Sequence, residues 1–202
     1  MYKRLIAITI AAVMMTIPAI AQEKEKVMEK PKAASKNPIV EIQTNHGSIF
    51  LEVFEKETPV HARNFLTKVD GGKYDGLTFH RIVKGFVIQG GDPTGNGTGS
   101  MGPDRLADEV SPYPQARGTI AMARSGAGAS NCQFYINLKD NSFLDKQKFS
   151  SFAKVVGGMD VVDKIAVVGV GPNDKPLEDV KMIKLRRVDK VPAAPAPKPE
   201  GK

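Results

Sequence analysis

The chain has a single cysteine, Cys132, so no intramolecular disulfide can form, and stability has to come from a hydrophobic core. Its three histidines, His46, His61 and His80, are scattered, with no HExxH or paired Cys/His spacing. That excludes the common zinc motifs and leaves them as structural or surface residues. No serine sits in a GxSxG elbow: Ser125 lies in Arg-Ser-Gly-Ala-Gly and Ser130 in Gly-Ala-Ser-Asn-Cys, which disfavours a serine hydrolase. Cys132 is a conceivable nucleophile, but Phe134 and Ile136 nearby favour an inert buried thiol. GTGSMG at 97–102 matches GxGxxG, yet Pro103 and a segment without a long helical period follow. A dinucleotide site needs a helix N-terminus at that point, so the stretch reads as a mobile glycine-rich surface loop.

No run of Lys and Arg is interleaved with aromatics. The net charge of +7, from 29 basic and 22 acidic residues, is spread over tails and body. A nucleic-acid partner would call for a more concentrated footprint. No apolar run reaches the ~20 residues that span a bilayer. The longest covers 5–17, with only Thr9 and Thr16 polar. Lys3 and Arg4 precede it and Ala19-Ile20-Ala21 follows Pro18, the pattern of a secretory signal peptide over 1–21. The expectation is an exported protein, periplasmic or secreted, with no stable membrane insertion after cleavage. Residues 22–37 read as a charged linker and 189–202 as a Pro/Ala-rich disordered tail. The folded unit is 38–188.

Within that unit strand signals dominate. Ile39, Ile42, Ile49, Leu51 and Val53 flank Asn45-His46-Gly47, a hairpin turn. Thr58-Pro59 opens a helix with Thr58 as N-cap, an apolar stripe of Val60, Phe65, Leu66 and Val69, and a stop at Gly71-Gly72. Further strands are expected at 78–83, 86–89, 119–123, 133–137, 149–156 and 180–187, with a second helix at 159–167. Many short strands and two separated helices argue for a closed or nearly closed antiparallel barrel.

FHRIVKGFVIQGGDPTGNGTG at 79–99 poses a problem, because a guanidinium and an amide interrupt apolar strands, where polar groups are costly unless used. This block resembles the signature of the cyclophilin-type peptidyl-prolyl isomerases. GTIAMARSGAGASNCQFYINLKDNSFLD at 118–145 is similar to the family's second active-site segment, and IQTNHGSIFLEVF and TPVHARNF also fit. The resemblance implies an eight-stranded antiparallel closed barrel capped by two α-helices, with the active site in a groove on its outer surface. It implies a monomer that needs no cofactor or metal and acts on proline-containing polypeptides.

By the same resemblance Arg81 is the catalytic arginine and Gln89 the glutamine that aims it. Phe86, Val87, Tyr135 and Leu144 hold the proline, and Phe143 forms the pocket's far wall. Ala123 and Arg124 offer backbone to the residues before the proline, and Gln133 contacts the moving carbonyl. There are departures. Tyr135 replaces the commoner Phe, implying a more polar floor, and Val87 replaces a longer Met-like side chain. Phe143 stands for the Trp of cyclosporin-sensitive members, Lys148 for a pocket His or Tyr, and Lys84 for a Pro before Gly85.

The chemistry suits these residues. Isomerisation must overcome amide resonance, about 18–20 kcal/mol for a peptide bond, and requires no nucleophile. A guanidinium bonded to the pyramidal nitrogen favours the twisted state over the planar one, and arginine stays protonated. Two rival functions stand beside catalysis. One is a non-catalytic chaperone or adaptor that grips proline segments. The other is an envelope-surface protein binding through its cationic tails.

Overall fold

The computed structural model describes residues 37–125 and 128–192. The expected signal peptide, most of the linker and most of the tail lie outside them. Eight strands follow one another as β1 (Ile39–Thr44), β2 (Gly47–Val53), β3 (Phe79–Val83), β4 (Val87–Gly90), β5 (Thr119–Ser125), β6 (Gly128–Asn137), β7 (Ser151–Gly157) and β8 (Met182–Val188). All pair antiparallel in the order β3-β4-β6-β5-β7-β2-β1-β8. The two outermost strands meet at a short seam. A bridge joins Thr78 to Lys181, Phe79 N donates to Val180 O at 2.9 Å, and Met182 N to Leu77 O at 2.8 Å.

Alternation along the strands separates core from groove. Ile82, Ile88, Ile136 and Ile120 are cross-strand neighbours in one row, and all face the interior. One residue along, Arg81, Gln89, Tyr135 and Ala121 form the parallel row on the outer face. A second, smaller apolar cluster forms there from Val87, Ala121, Tyr135 and Leu144, backed by Phe86, Ala123 and Phe149.

The helices are α1 (Pro59–Asp70), against β6, β7 and β8, and α2 (Met159–Ile165), against β2. Several local expectations need correction. Thr58 precedes α1 but does not cap it, since its hydroxyl donates to Phe54 O at 3.0 Å. The carboxylate of Glu109 instead accepts the N–H groups of Val60 and His61, at 2.8 and 3.0 Å. Val60 faces solvent and His61 is buried in its place. The second helix stops at Ile165, leaving Val167 exposed. β6 begins five residues earlier than its apolar run, at Gly128, and β7 starts at Ser151, which frees Phe149 to turn outward into the groove.

Candidate active site

The outer cluster encloses a pocket of about 160 Å³ lined by Arg81, Phe86, Val87, Gln89, Ala123, Arg124, Tyr135, Leu144 and Phe149. Its floor is the row from β4, β6 and β5, and its wall is a two-turn 3-10 helix, Ser142–Gln147. Leu144 in that helix points inward and is 5% exposed. Phe143, one residue before, points away. It is half exposed and stacks on Phe86 at 6.0 Å between centroids, so it braces the rim and does not line the cavity. Consecutive residues of a 3-10 turn leave its axis about a third of a revolution apart, so one of the two has to face outward.

The hydroxyl of Tyr135 does not make the floor polar. It donates to Gln115 Oε1 at 2.9 Å, and burial pushes its pKa well above the ordinary tyrosine value. Only the ring faces the pocket, edge-on to Phe149 with centroids 5.9 Å apart. Phe149 therefore stands in the pocket, in the role that the Lys148 departure leaves unassigned; the Lys148 side chain is exposed and lies 3.6 Å from Asp108.

Gln115, a residue the sequence did not single out, joins these walls. Its Oε1 also accepts from Asn137 Nδ2 at 2.9 Å, and its Nε2 donates to Phe149 O at 3.2 Å. Its backbone N–H donates to Asp145 at 3.0 Å, and its carbonyl accepts from Asn141 at 2.7 Å. One buried glutamine thus ties the floor, Phe149 and the 3-10 helix together. A lone Gln in a proline-rich loop carries no sequence signal of this.

Arg81 stands at the pocket's edge, a little over a third exposed, with Nε 3.4 Å from Asp174 Oδ2. Gln89 lies directly across the ladder from it, but the Gln89 amide donates to Gln133 Oε1 at 3.1 Å. Among the described residues the group paired with Arg81 is Asp174, and the expected aiming bond from Gln89 is replaced by this ion pair. Both amide protons of Gln133 are engaged as well, by Gly97 O at 3.0 Å and Gly99 O at 3.1 Å. Gln133 therefore has no donor left for a moving carbonyl; it tethers the glycine loop beside the pocket.

That loop is pinned from its other side too. The Asp92 carboxylate accepts the backbone N–H groups of Thr94, Asn96 and Gly97. Burial raises its pKa, but the hydrogen bonds from Thr94, Gly99 and Gly97 outweigh burial and hold it below the usual value. Gly99 packs so closely on Asp92 that a β-carbon there would overlap the carboxylate. Asn131 fastens the next turn through Ser100, Met101 and Gly102. The stretch expected to be mobile is held at both faces, and no helix follows it.

Ala123 sits at a break in register. Met122 pairs with Phe134 but Arg124 with Ala129, so 130–133 loop out of the ladder. The guanidinium of Arg124 is paired with Asp108. A larger cleft of about 460 Å³ opens beyond Phe149, between 108–114 and Lys148–Ser150. Its carboxylates are already committed: Glu109 to α1, Asp145 to Gln115, and Asp108 to Arg124. Cys132 is buried and burial pushes its thiol pKa up, the state of an inert cysteine. Among the described residues no cluster of three or more His, Cys, Asp or Glu is arranged to hold a metal.

A small, mostly apolar pocket with the Arg81 guanidinium at its edge can hold a ring by burial and offer it a directed hydrogen bond, which a prolyl residue could use. Residues 39–187 match the family model described as cyclophilin type peptidyl-prolyl cis-trans isomerase/CLD. Over 149 residues the chain is 38% identical to peptidyl-prolyl cis-trans isomerase ppi1 of Schizosaccharomyces pombe, a match covering 72% of this chain and 96% of that protein. It is 38% identical over 151 residues to peptidyl-prolyl cis-trans isomerase-like 1 of Homo sapiens, covering 73% and 90%. The crystal structure of a Cryptosporidium parvum cyclophilin type isomerase, determined in the presence of the dipeptide Ala-Pro, superposes with a TM-score of 0.69. That pair shares 27% identity over 75% of this chain and 99% of the other. The chain belongs to the cyclophilin-type family and is a peptidyl-prolyl cis-trans isomerase.

Proposed function

We propose that the chain acts on X-Pro bonds of exported proteins during folding, and that Arg81 carries the catalysis by stabilising the twisted amide. The observation behind the second part is the position of the guanidinium, at the edge of a pocket whose other walls are mostly apolar. Phe86, Val87, Tyr135, Leu144 and Phe149 would hold the proline ring by burial while the acyl side rotates. As the C–N bond turns, its nitrogen becomes pyramidal and regains a lone pair. An Nη proton of Arg81 then meets a better acceptor than the planar amide offers, the differential binding that lowers a barrier. The backbone around Ala123 and Arg124, at the register break, would receive the residues before the proline.

Export rests on Lys3, Arg4, the apolar run at 5–17 and Ala19-Ile20-Ala21. The destination would be the periplasm or the exterior, with the protein working as a monomer. The departures at Tyr135 and Lys148 are what would favour the non-catalytic alternative. The hydroxyl of the first is bonded to Gln115 and the side chain of the second turns to Asp108, so neither blocks the pocket.

Exchange spectroscopy on an Ala-Pro peptide, with the wild-type chain and Arg81→Ala, tests the catalytic assignment. Loss of most of the exchange in a variant with unchanged circular dichroism is expected. Wild-type exchange in Arg81→Ala would remove arginine from the mechanism. Export is tested separately by the N-terminus of the protein recovered from cells: Gln22 is expected, and Met1 would refute it.

A further inference from the structure

The carboxylate beside Arg81 comes from outside both sequence blocks that carry the family resemblance. Asp174 closes Pro172–Asp174, a single 3-10 turn between α2 and β8. Its Oδ2 lies 3.4 Å from Arg81 Nε, the one ion pair made by Arg81 among the described residues. The backbone there is unusual. Asn173 and Asp174 have φ of 58° and 59°, two successive non-glycine residues in the left-handed region, which L-residues seldom occupy.

The turn is clamped at its base. Gly171 N donates to Lys175 O at 2.8 Å, and Val170 bridges to Pro176. A half-exposed ion pair contributes little to folding, so stability is a poor reason to keep a carboxylate on such a backbone. Strain of this kind persists where the surroundings enforce it, often beside a functional group.

Arg81 supplies the reason. A guanidinium has five N–H donors in a rigid fork, and a carboxylate at Nε leaves the Nη protons free for a ligand. An arginine more than a third exposed would otherwise spread over several rotamers, and only part of that population would reach a twisting amide. We infer that Asp174 is a positioning residue for the isomerisation: it holds Arg81 by Nε so that the Nη protons stay over the proline pocket. This rests on the catalytic role proposed above for Arg81.

The test compares wild type, Asp174→Gly, Asp174→Asn and Arg81→Ala by exchange spectroscopy on the Ala-Pro peptide, at saturating and low peptide. Glycine accepts the left-handed backbone, so Asp174→Gly removes the carboxylate without endangering the fold. Its exchange rate at saturation should fall about three- to tenfold, as expected when a reacting group is misplaced, with peptide affinity nearly unchanged. Asp174→Asn keeps an acceptor and should retain more rate than Asp174→Gly. The Arg81 Nε–Hε resonance should move towards the position of a free arginine in Asp174→Gly, a signature that mere structural loosening elsewhere would not produce. Wild-type exchange in Asp174→Gly would overturn the inference, and so would a loss appearing only in affinity. If Arg81→Ala is itself fully active, the failure lies in the arginine mechanism; if Arg81→Ala is inactive and Asp174→Gly is not, it lies in the positioning role alone.

Discussion

Truncating Gln115 should damage both the fold and the pocket, and the size of the effect follows from its hydrogen bonds. Gln115→Ala removes Oε1 and Nε2 from a residue that is 1% exposed. Asn137 Nδ2 loses one acceptor but keeps Thr119 Oγ1 at 3.0 Å, so it is not orphaned. Among the described residues the Tyr135 hydroxyl and the Phe149 carbonyl have no such reserve. Leaving a buried polar group unsatisfied costs about 1–3 kcal/mol, so two give about 2–6 kcal/mol. That is a large part of the ~5–15 kcal/mol that holds a typical domain together. Tyr135→Phe is different, because Gln115 Oε1 still has Asn137; the cost should be that of one net hydrogen bond, about 0.5–1.5 kcal/mol. In the double variant the hydroxyl that would be orphaned is gone. Its destabilisation should therefore fall short of the sum of the singles by about 1.5–4.5 kcal/mol, the cost of the orphaned hydroxyl plus that of the single Tyr135→Phe change. Urea unfolding followed by far-ultraviolet circular dichroism measures all three. Additivity within about 0.5 kcal/mol, the spread expected of independent sites, would refute the view that Gln115 and Tyr135 act as one unit.

The remaining predictions are briefer. Phe149→Ala should weaken peptide affinity more than Lys148→Ala, because Phe149 lines the pocket while the Lys148 ammonium is exposed; isothermal titration with an Ala-Pro peptide decides, and the reverse order would put the cation in the site. His80 should make stability sensitive to mild acid. Burial lowers its pKa below the ordinary 6.5, with Asp92 opposing and Arg81 adding to the shift. The unfolded chain therefore takes up a proton near pH 6.5 while the native state still excludes it. Stability should be level above about pH 7 and fall as the pH drops through 6.5 towards the native pKa. His80→Leu should lack that fall in urea midpoints; an equal slope in both proteins would assign it to other groups.

What the sequence makes legible here is period two. Ile82 and Ile88 on one parity and Arg81 and Gln89 on the other are enough to predict a sheet with a core face and a working face. The pocket's floor follows from the same rows. What stays hidden is held by side chains acting across long stretches of chain. Glu109 caps a helix almost fifty residues earlier, a job that local rules gave to Thr58. Gln115 reaches Tyr135 twenty residues on and Phe149 thirty-four residues on. Asp174 meets Arg81 only because β8 closes the barrel beside β3. The start of β6 stays hidden because Gly128–Cys132 lacks the β-branched and aromatic residues that mark a strand, and only Gly128 and Ala129 of that stretch pair with β5.

The two groups of residues follow different physics. Burial acts on apolar residues wherever the chain places them, so its pattern is written locally and repeats with the secondary structure. A directed hydrogen bond or ion pair needs one particular partner, and that partner is fixed only once the barrel has closed. The apolar pocket of this isomerase therefore belongs to the first kind and, Phe149 apart, is readable from two sequence blocks. The orientation of its arginine belongs to the second. Gln89, the neighbour suggested by the resemblance, is bonded elsewhere, and the carboxylate that meets Arg81 comes from a turn outside both blocks.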